Sequence, residues 1–532
     1  MNVSEITIKE LVKSRVKTQA DLVSLKRKMA KIYKIAMFSN IDLLKTYHKM
    51  LENKRIKPSK TIENLLRTRP VRSLSGIVNI SVLTKPWPCP GKCIYCPIEK
   101  GIPKSYLSGE PAVERAKKLN YVPFLQVQKR IEMLKNEGHP TDKIELRIVG
   151  GTWSYYPKQY QIWFVKECFR ACNEFDSLKL RRSNLHLSQK LNEKAKHRIV
   201  GLSIETRPDF INLLEIKHLR KLGVTMVELG VQSIYDDVLS LNLRGHKIKE
   251  TILATKLLKD AGFKVLYQMM PNLLGSSPKK DKKMFEQLFK NQNFQPDLLK
   301  IYPCALLKKV PLYKIYKAKK YRPYSKKTLI NLIKDIKRKI PYYVRIQRIA
   351  RDIPSQYVIS GGAKITNLRQ IVQEEIKKES WKCKCIRCRE VKSDYDLKDK
   401  LYLFRQDYNA SDGKEIFLSF ETKNRDKLYS LLRLRIPSQY FERKKHFLRI
   451  LDGVAIIREI QTFGQVVPIG TKKIAPQHQG LGKKLTKLAE KIIKRESNLN
   501  KIVIISGIGV RGYFSRLGYN LKNSYMIKNL GS

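Results

Sequence analysis

The chain has 532 residues, 108 Lys and Arg against 47 Asp and Glu, and a formal net charge of +61. That length suits three or four units of roughly 150 residues. A positive charge spread along the whole chain makes it repel itself unless it meets a polyanion, so nucleic acid is the expected partner, beside a share of the excess due to a Lys- and Ile-rich, AT-biased composition. No apolar run approaches the roughly 18 residues of a membrane span and no signal-peptide core opens the N-terminus, which predicts a soluble cytoplasmic protein. The nine cysteines fall into two triplets plus Cys168, Cys172 and Cys304, a grouping that fits metal binding in a reducing compartment and not a disulfide framework.

Residues 1–75 read as a basic helical region. Leu22, Leu25, Met29 and Ile32 recur at helical spacing, with Lys26, Arg27, Lys28 and Lys31 on the other face, either a solvated surface or one that docks RNA. Residues 76–345 alternate apolar runs with amphipathic stretches, with strands predicted at 77–83, 144–149, 199–204, 224–231, 265–270 and 298–302. Repeated strand-helix units predict an α/β domain whose parallel sheet forms an open or partial TIM-like barrel, with chemistry at the C-terminal strand ends.

The first of those strands leads into Cys89, Cys93 and Cys96. Cys-x3-Cys-x2-Cys spacing supplies three thiolates to a [4Fe-4S] cluster and leaves one iron open, as radical S-adenosylmethionine (SAM) enzymes require. A closed structural zinc site would need a fourth ligand, and none follows nearby. One strand later Gly150, Gly151 and Thr152 let backbone approach a ligand at a strand end, where the SAM amino group needs acceptors; alone, the same residues make a turn. Glu205 and Gln232, also at strand ends, suit hydrogen bonds to the ribose or amino acid part of SAM. The competing role for each is to satisfy local backbone.

Residues 346–395 form a connector in which Cys383, Cys385 and Cys388 place three thiols within six residues, the density of a structural zinc site. Its fourth ligand is expected from a histidine or another cysteine. The pattern then turns strand-rich over 396–532, with strands predicted at 416–420, 428–434, 455–460 and 502–505. Gln477, Gly480 and Gly482 open a basic helix running to about 494, exposing N–H groups at a helix N-terminus where the pyrophosphate of coenzyme A can sit. With the later segment Arg511-Gly-Tyr-Phe-Ser-Arg-Leu-Gly-Tyr519, this predicts an α+β GNAT acetyltransferase domain.

A radical SAM loop joined through a Cys-x-Cys-x2-Cys connector to a GNAT domain resembles one family, the catalytic subunit of Elongator and its stand-alone microbial relatives. Leu66-Arg-Thr-Arg-Pro-Val-Arg72, Ser105-Tyr-Leu-Ser-Gly-Glu-Pro111, Asn242-Leu-Arg-Gly-His246, Arg351-Asp-Ile-Pro354 and Ile505-Ser-Gly-Ile-Gly509 extend the likeness over nearly the whole chain. The resemblance implies modification of the wobble uridine in the anticodon stem-loop of tRNA, giving 5-carboxymethyluridine from acetyl-CoA. In that chemistry a 5′-deoxyadenosyl radical takes hydrogen from the acetyl methyl group, the carbon radical adds to C5 of uracil, and thioester hydrolysis frees coenzyme A. Carried over by position, Lys143 matches a lysine that contacts acetyl-CoA, Glu459, Ile460, Gln461 and Thr462 match the acetyl-CoA strand, and Leu481, Gly482 and Lys483 match the pyrophosphate turn. Tyr513 and Phe514 stand where the family has two tyrosines near the thioester, which makes Lys143 and Tyr513 the candidate catalytic pair.

Phe514 removes a hydroxyl, Asn272 stands where relatives usually carry Asp, and Val510 and Gly512 replace common Thr and Asn. These departures leave two other readings to weigh: an RNA-binding scaffold with weakened catalysis, and a protein lysine acetyltransferase whose first half only binds or senses. Intact cysteines and glycines oppose the first. The second is opposed by charge, since histone tails are basic and so is this chain. The short Cys-x3-Cys spacing looks like the stand-alone form and implies activity without other Elongator subunits; a homodimer is left open.

Overall fold

The computed structural model describes residues 2–14, 16–176, 184–392, 395–396, 398–464 and 480–531. Four helices, α1 (Val3–Lys13), α2 (Gln19–Ile32), α3 (Asn40–Glu52) and α4 (Lys60–Leu66), open the chain. Each is started by a polar N-cap: Asn2, Thr18, Ser39 and Ser59 accept from a backbone N–H of the first turn, satisfying a donor the helix cannot. Ile8, Leu11, Leu22, Leu25, Leu43, Leu44 and Tyr47 pack into a core of their own, each such side chain contributing about 1.5–3 kcal/mol. Two expectations fail. Ile32 ends α2 with 56% of its surface exposed, and Lys26 is buried, its Nζ donating to Asn40 Oδ1 at 2.9 Å, so the basic face of α2 is Arg27, Lys28 and Lys31.

Seven parallel strands follow in sequential order: β1 (Val78–Leu83), β2 (Lys143–Val149), β3 (Arg198–Thr206), β4 (Met226–Gln232), β5 (Lys264–Met269), β6 (Leu298–Ile301) and β7 (Arg345–Ile349). This is the expected partial barrel with one strand more than the six anticipated. The seventh straddles the expected boundary at 345 and pairs with β6. Side chains alternate as the pleat requires: on β2, Ile144, Leu146 and Ile148 are buried while Lys143, Glu145 and Arg147 are only half-buried. β4, central in the sheet, is buried at every position, as a strand covered on both faces should be.

The second sheet is mixed, ordered β13-β14-β12-β11-β10-β9-β8, from β8 (Tyr402–Ala410), β9 (Gly413–Glu421), β10 (Leu428–Ile436), β11 (Ala455–Thr462), β12 (Lys501–Ile504), β13 (Asn520–Lys522) and β14 (Tyr525–Asn529). Only β11 and β12 run parallel, and the helix Leu481–Glu496 packs on it. The two sheets share one apolar core that joins Val265 and Phe263 to Ile456, Ile505 and Tyr525.

At that junction lies a buried ionic network. Arg458 of β11 holds Asp297 with both terminal nitrogens, at 2.9 and 2.5 Å, and reaches Glu415 at 3.0 Å. Arg435 bridges Asp260 at 2.6 Å and Glu415 at 3.0 Å, with Lys259 Nζ 3.5 Å from Asp297. All six of these side chains are at most 1% exposed. Among the described residues no helix is long and apolar enough to cross a membrane.

Candidate active site

The loop after β1 carries Cys89, Cys93 and Cys96 to the C-terminal ends of the half-barrel strands. There they share one cavity of about 240 Å³ with Gly151, Thr152, Glu205 and Gln232. Thr152 Oγ1 lies 3.7 Å from Cys89 Sγ. Gly150 does not line the cavity; it makes the turn possible. Its φ is +131°, and a Cβ there would fall 2.0 Å from Thr84 Oγ1, so only glycine fits. Gln232 has φ +70° at the end of β4, a strained conformation for a residue with a side chain, and its Oε1 is buried without a partner.

Glu205 belongs to a lattice of charges inside the barrel mouth. It accepts from Lys300 Nζ at 2.9 Å, Gln268 Nε2 at 3.1 Å and Tyr106 hydroxyl at 3.2 Å. Glu228 lies deeper, paired with Lys300 and, at 2.5 Å, with Arg147. Burial alone would raise its carboxyl, but Arg147 and Lys300 hold it down to about 2. Arg147, Lys300, Arg207 and Arg244 also line the cavity; the last two fall within stretches the sequence marks, without a role, whereas Arg147 and Lys300 are not marked, the signal for Arg147 being a charged residue at alternate positions of an otherwise apolar strand.

The three thiols of this loop differ from the second triplet in spread. Among the described residues, only Cys383, Cys385 and Cys388 bring three ligand atoms within 4.8 Å of one another, the spacing for a single ion. The first triplet opens wider, as a polynuclear cluster needs, and faces a cavity with room for a bound cofactor. Burial pushes the Cys96 thiol up to about 12, so a metal must displace its proton.

Cys383, Cys385 and Cys388 sit between β7 and the second sheet, where Ile386 N–H donates to Val344 O at 3.0 Å and Glu390 bridges to Leu428. A zinc ion fits these thiols. The fourth ligand expected from histidine or cysteine does not join them among the described residues. Instead Lys337 Nζ lies 3.4 Å from Cys388 Sγ; burial lowers its ammonium, but the Cys383, Cys388 and Cys385 sulfurs more than offset this and raise it.

Among the acetyl-CoA candidates, Ile460, Thr462, Gly482 and Tyr513 come together, while Lys143 lies apart at the N-terminal end of the half-barrel strands. Lys143 starts β2 opposite Arg198, and residues 507–510 lie directly on β3 beside it: a Cβ on Gly507 would fall 2.1 Å from the Val200 carbonyl oxygen. Burial pushes the Lys143 ammonium down to about 8. The pleat of β11 divides its four candidates. Ile460 and Thr462 point toward Gly482, at 3.7 and 4.0 Å from its Cβ position, with the Tyr513 hydroxyl at 3.2 Å. Glu459 and Gln461 point the other way, Glu459 to Arg433 at 2.7 Å and Lys264 at 3.1 Å, and Gln461 to Ser75 O at 3.0 Å. Glu459 thus fastens the two domains, a use its expected place on an acetyl-CoA strand does not reveal.

Gly480, with φ +68°, caps the helix that begins at Leu481, Gly482 and Lys483 and faces open space. Gln477 lies outside the described residues. Phe514 is 6% exposed in the second core, edge-on to Tyr513 at 5.1 Å, so its ring fills the interior. Asn272 is likewise turned from the cavity, its Nδ2 donating to the Tyr321 hydroxyl at 2.9 Å.

Comparison with known proteins agrees with this architecture. Residues 89–288 match the Radical SAM superfamily and residues 296–378 its C-terminal domain. The chain is 42% identical to a tRNA uridine(34) acetyltransferase of Methanocaldococcus infernus, over 99% of this chain and 98% of that protein. It is 42% identical to one of Dehalococcoides mccartyi, over 86% and 99%, and 36% identical to Elongator complex protein 3 of Homo sapiens, over 88% and 87%. A solved structure of the archaeal Methanocaldococcus infernus Elp3 lacking residues 1–46 superposes with a TM-score of 0.74 at 40% identity, covering 86% of this chain and all of that one. A radical SAM half-barrel bonded through a cysteine triad to a mixed sheet, shared along nearly its full length with these relatives, makes the chain a member of the Elongator complex protein 3 and tRNA uridine(34) acetyltransferase family.

Proposed function

We propose that this protein modifies the wobble uridine of tRNA, attaching a carboxymethyl group at C5 with acetyl-CoA as the carbon source and SAM as co-substrate. The observation that carries the reading is the pairing, within one ion-locked body, of a three-cysteine cavity at one end of a half-barrel with a glycine turn and Tyr513 in the second domain. Cys89, Cys93 and Cys96 hold a [4Fe-4S] cluster, and Cys383, Cys385 and Cys388 a structural zinc. Bound there, cluster and SAM supply a primary carbon radical able to take a hydrogen atom from a methyl group.

The chain's own residues bind and orient. Thr152, Glu205 and the unpartnered Gln232 Oε1 face the cavity and offer acceptors to the amino and ribose groups of SAM. The first-turn N–H groups of Leu481, Gly482 and Lys483 receive the pyrophosphate of coenzyme A. Ile460 and Thr462 line the acyl chain, the Tyr513 hydroxyl addresses the thioester, and Lys143 supplies a positive charge. The division of labour is 1–75 and the half-barrel for tRNA and SAM, the cysteine connector for rigidity, and the second sheet for acetyl-CoA. The test is mass spectrometry of nucleosides from bulk tRNA incubated anaerobically with reconstituted protein, acetyl-CoA, SAM and reductant. A SAM-dependent carboxymethyluridine peak is expected; its absence, with acetylated protein instead, would favour a lysine acetyltransferase.

Lys143 binds acetyl-CoA as a cation, and a charge-assisted hydrogen bond contributes about 1.5–3 kcal/mol. KM for acetyl-CoA hydrolysis should therefore climb roughly tenfold as pH rises through about 8 and the ammonium is lost. Lys143→Arg should flatten that rise. For tRNA, each phosphate contact adds roughly −0.7 to −0.9 to the slope of log affinity against log salt. Replacing exposed Arg27, Lys28 and Lys31 by Gln should make that slope shallower by roughly 2. The same change at Lys491, Lys494 and Arg495 should leave it alone.

A further inference from the structure

The motif Asn242-Leu-Arg-Gly-His246 and the segment Glu205-Thr-Arg-Pro208 each send a buried arginine to the cysteine loop. Arg244 is 6% exposed; its Nη2 donates to Gly230 O at 2.5 Å, its Nη1 lies 3.7 Å from Cys93 Sγ, and its Nε has no partner. Arg207 is 4% exposed and held in a two-point grip by Asp209, at 2.9 and 2.8 Å. That grip leaves Arg207 Nη1 buried without a partner, directed at the cysteine loop. A Cβ on Gly91 would fall 2.6 Å from it, and that same point lies 3.5 Å from Cys93 Sγ and 3.7 Å from Cys89 Sγ.

Glycines make the space. A Cβ on Gly230 would fall 2.7 Å from Arg244 Nη2, and one on Gly245 3.2 Å from Arg207 Nη2. Lys104 adds a third cation by donating to the Gly91 carbonyl within the loop. Asp209 is already committed to Arg207. Two guanidiniums desolvated against a thiol triplet, each with an unsatisfied N–H, need an anion, and three thiolates provide one.

We propose that Arg207 and Arg244 are positioning residues that set the reduction potential of the cluster held by Cys89, Cys93 and Cys96. The inference rests on the cluster assigned above. One electron from an external reductant makes the thiolate-cluster unit one charge more negative, with no bond made or broken. Fixed buried cations stabilise the reduced form more than the oxidised form, since charges interact strongly where water is excluded. They therefore raise the midpoint.

The test is an EPR-monitored redox titration, with dithionite as reductant, of the full chain after anaerobic reconstitution. Arg244→Gln and Arg207→Gln should each lower the midpoint so that, at the parent midpoint, the reduced-to-oxidised ratio falls at least tenfold, about 59 mV for one electron. Arg244→Lys should keep most of the parent value, which a purely structural role for the guanidinium would not predict. A Gln variant with parental iron and sulfide content and an unmoved midpoint overturns the proposal. Should Arg244→Gln fail to load iron, loading restored by Lys supports the charge role. Failure of both, with an unmoved midpoint in Arg207→Gln, overturns it. A parent protein that loads no cluster at all would instead remove the assignment on which the inference stands.

Discussion

Asp297→Ala is expected to destabilise the protein by about 3–5 kcal/mol and to melt both sheets in a single, earlier transition. Asp297 lies just before β6 in the half-barrel, yet its partners Arg458 and Arg433 belong to β11 and β10 of the second sheet. Burial alone would raise its carboxyl, but Arg458, Lys259 and Arg433 hold it well below the usual range. Removing it strands these cations in a site without water, where an unpaired charge costs several kcal/mol. Thermal melts followed by far-UV circular dichroism decide the matter. Two separate transitions, one unchanged, would contradict a shared body. Acid should act through the same junction: Glu459 is held down to about 2 by Lys264 and Arg433 against the pull of burial. Because that value is depressed, its contribution is present above the ordinary carboxylate pKa near 4.5 and is lost as pH falls toward 2.

The second large effect is at the metal sites. Replacing Cys89, Cys93 and Cys96 together by Ala should remove all cluster iron and its visible absorption while leaving zinc content intact. Replacing Cys383, Cys385 and Cys388 should remove zinc and lower the melting temperature, because that triad ties β7 to the second sheet. Iron and absorption retained in the first variant would mean the cluster sits elsewhere.

Much of this architecture is legible in the sequence for identifiable reasons. Strands such as β2 and β5 announce themselves because their helix-facing residues are Ile, Leu, Val and Tyr, and the glycines at 150, 151 and 480 mark a strand end and a helix start where the backbone turns with positive φ. β7 was hidden because Arg345-Ile-Gln-Arg-Ile349 is short and carries two charges facing inward. β13 was hidden because Asn520–Lys522 is an exposed edge strand with almost no apolar signal. The junction network is invisible for a different reason: Arg458 and Asp297 are 161 positions apart, and nothing local distinguishes them from surface charges. Arg207 and Arg244 lie within recognisable sequence stretches, but their burial beside cysteines more than 100 positions away appears only in the fold. Lys26 shows the opposite error, a lysine read as surface that tertiary packing buried.

The central claim is that both halves act on one molecule of acetyl-CoA, and acetyl-CoA with a deuterated methyl group tests it directly. With SAM, reductant, tRNA and the reconstituted protein, deuterium is predicted to appear in the 5′-deoxyadenosine released and the acetate carbons in the carboxymethyl group of the tRNA. Gly482→Val, which crowds Tyr513 and the helix N-terminus, should abolish both signals. Unlabelled 5′-deoxyadenosine accompanied only by acetylated tRNA or protein would contradict the account and leave the two domains as independent enzymes.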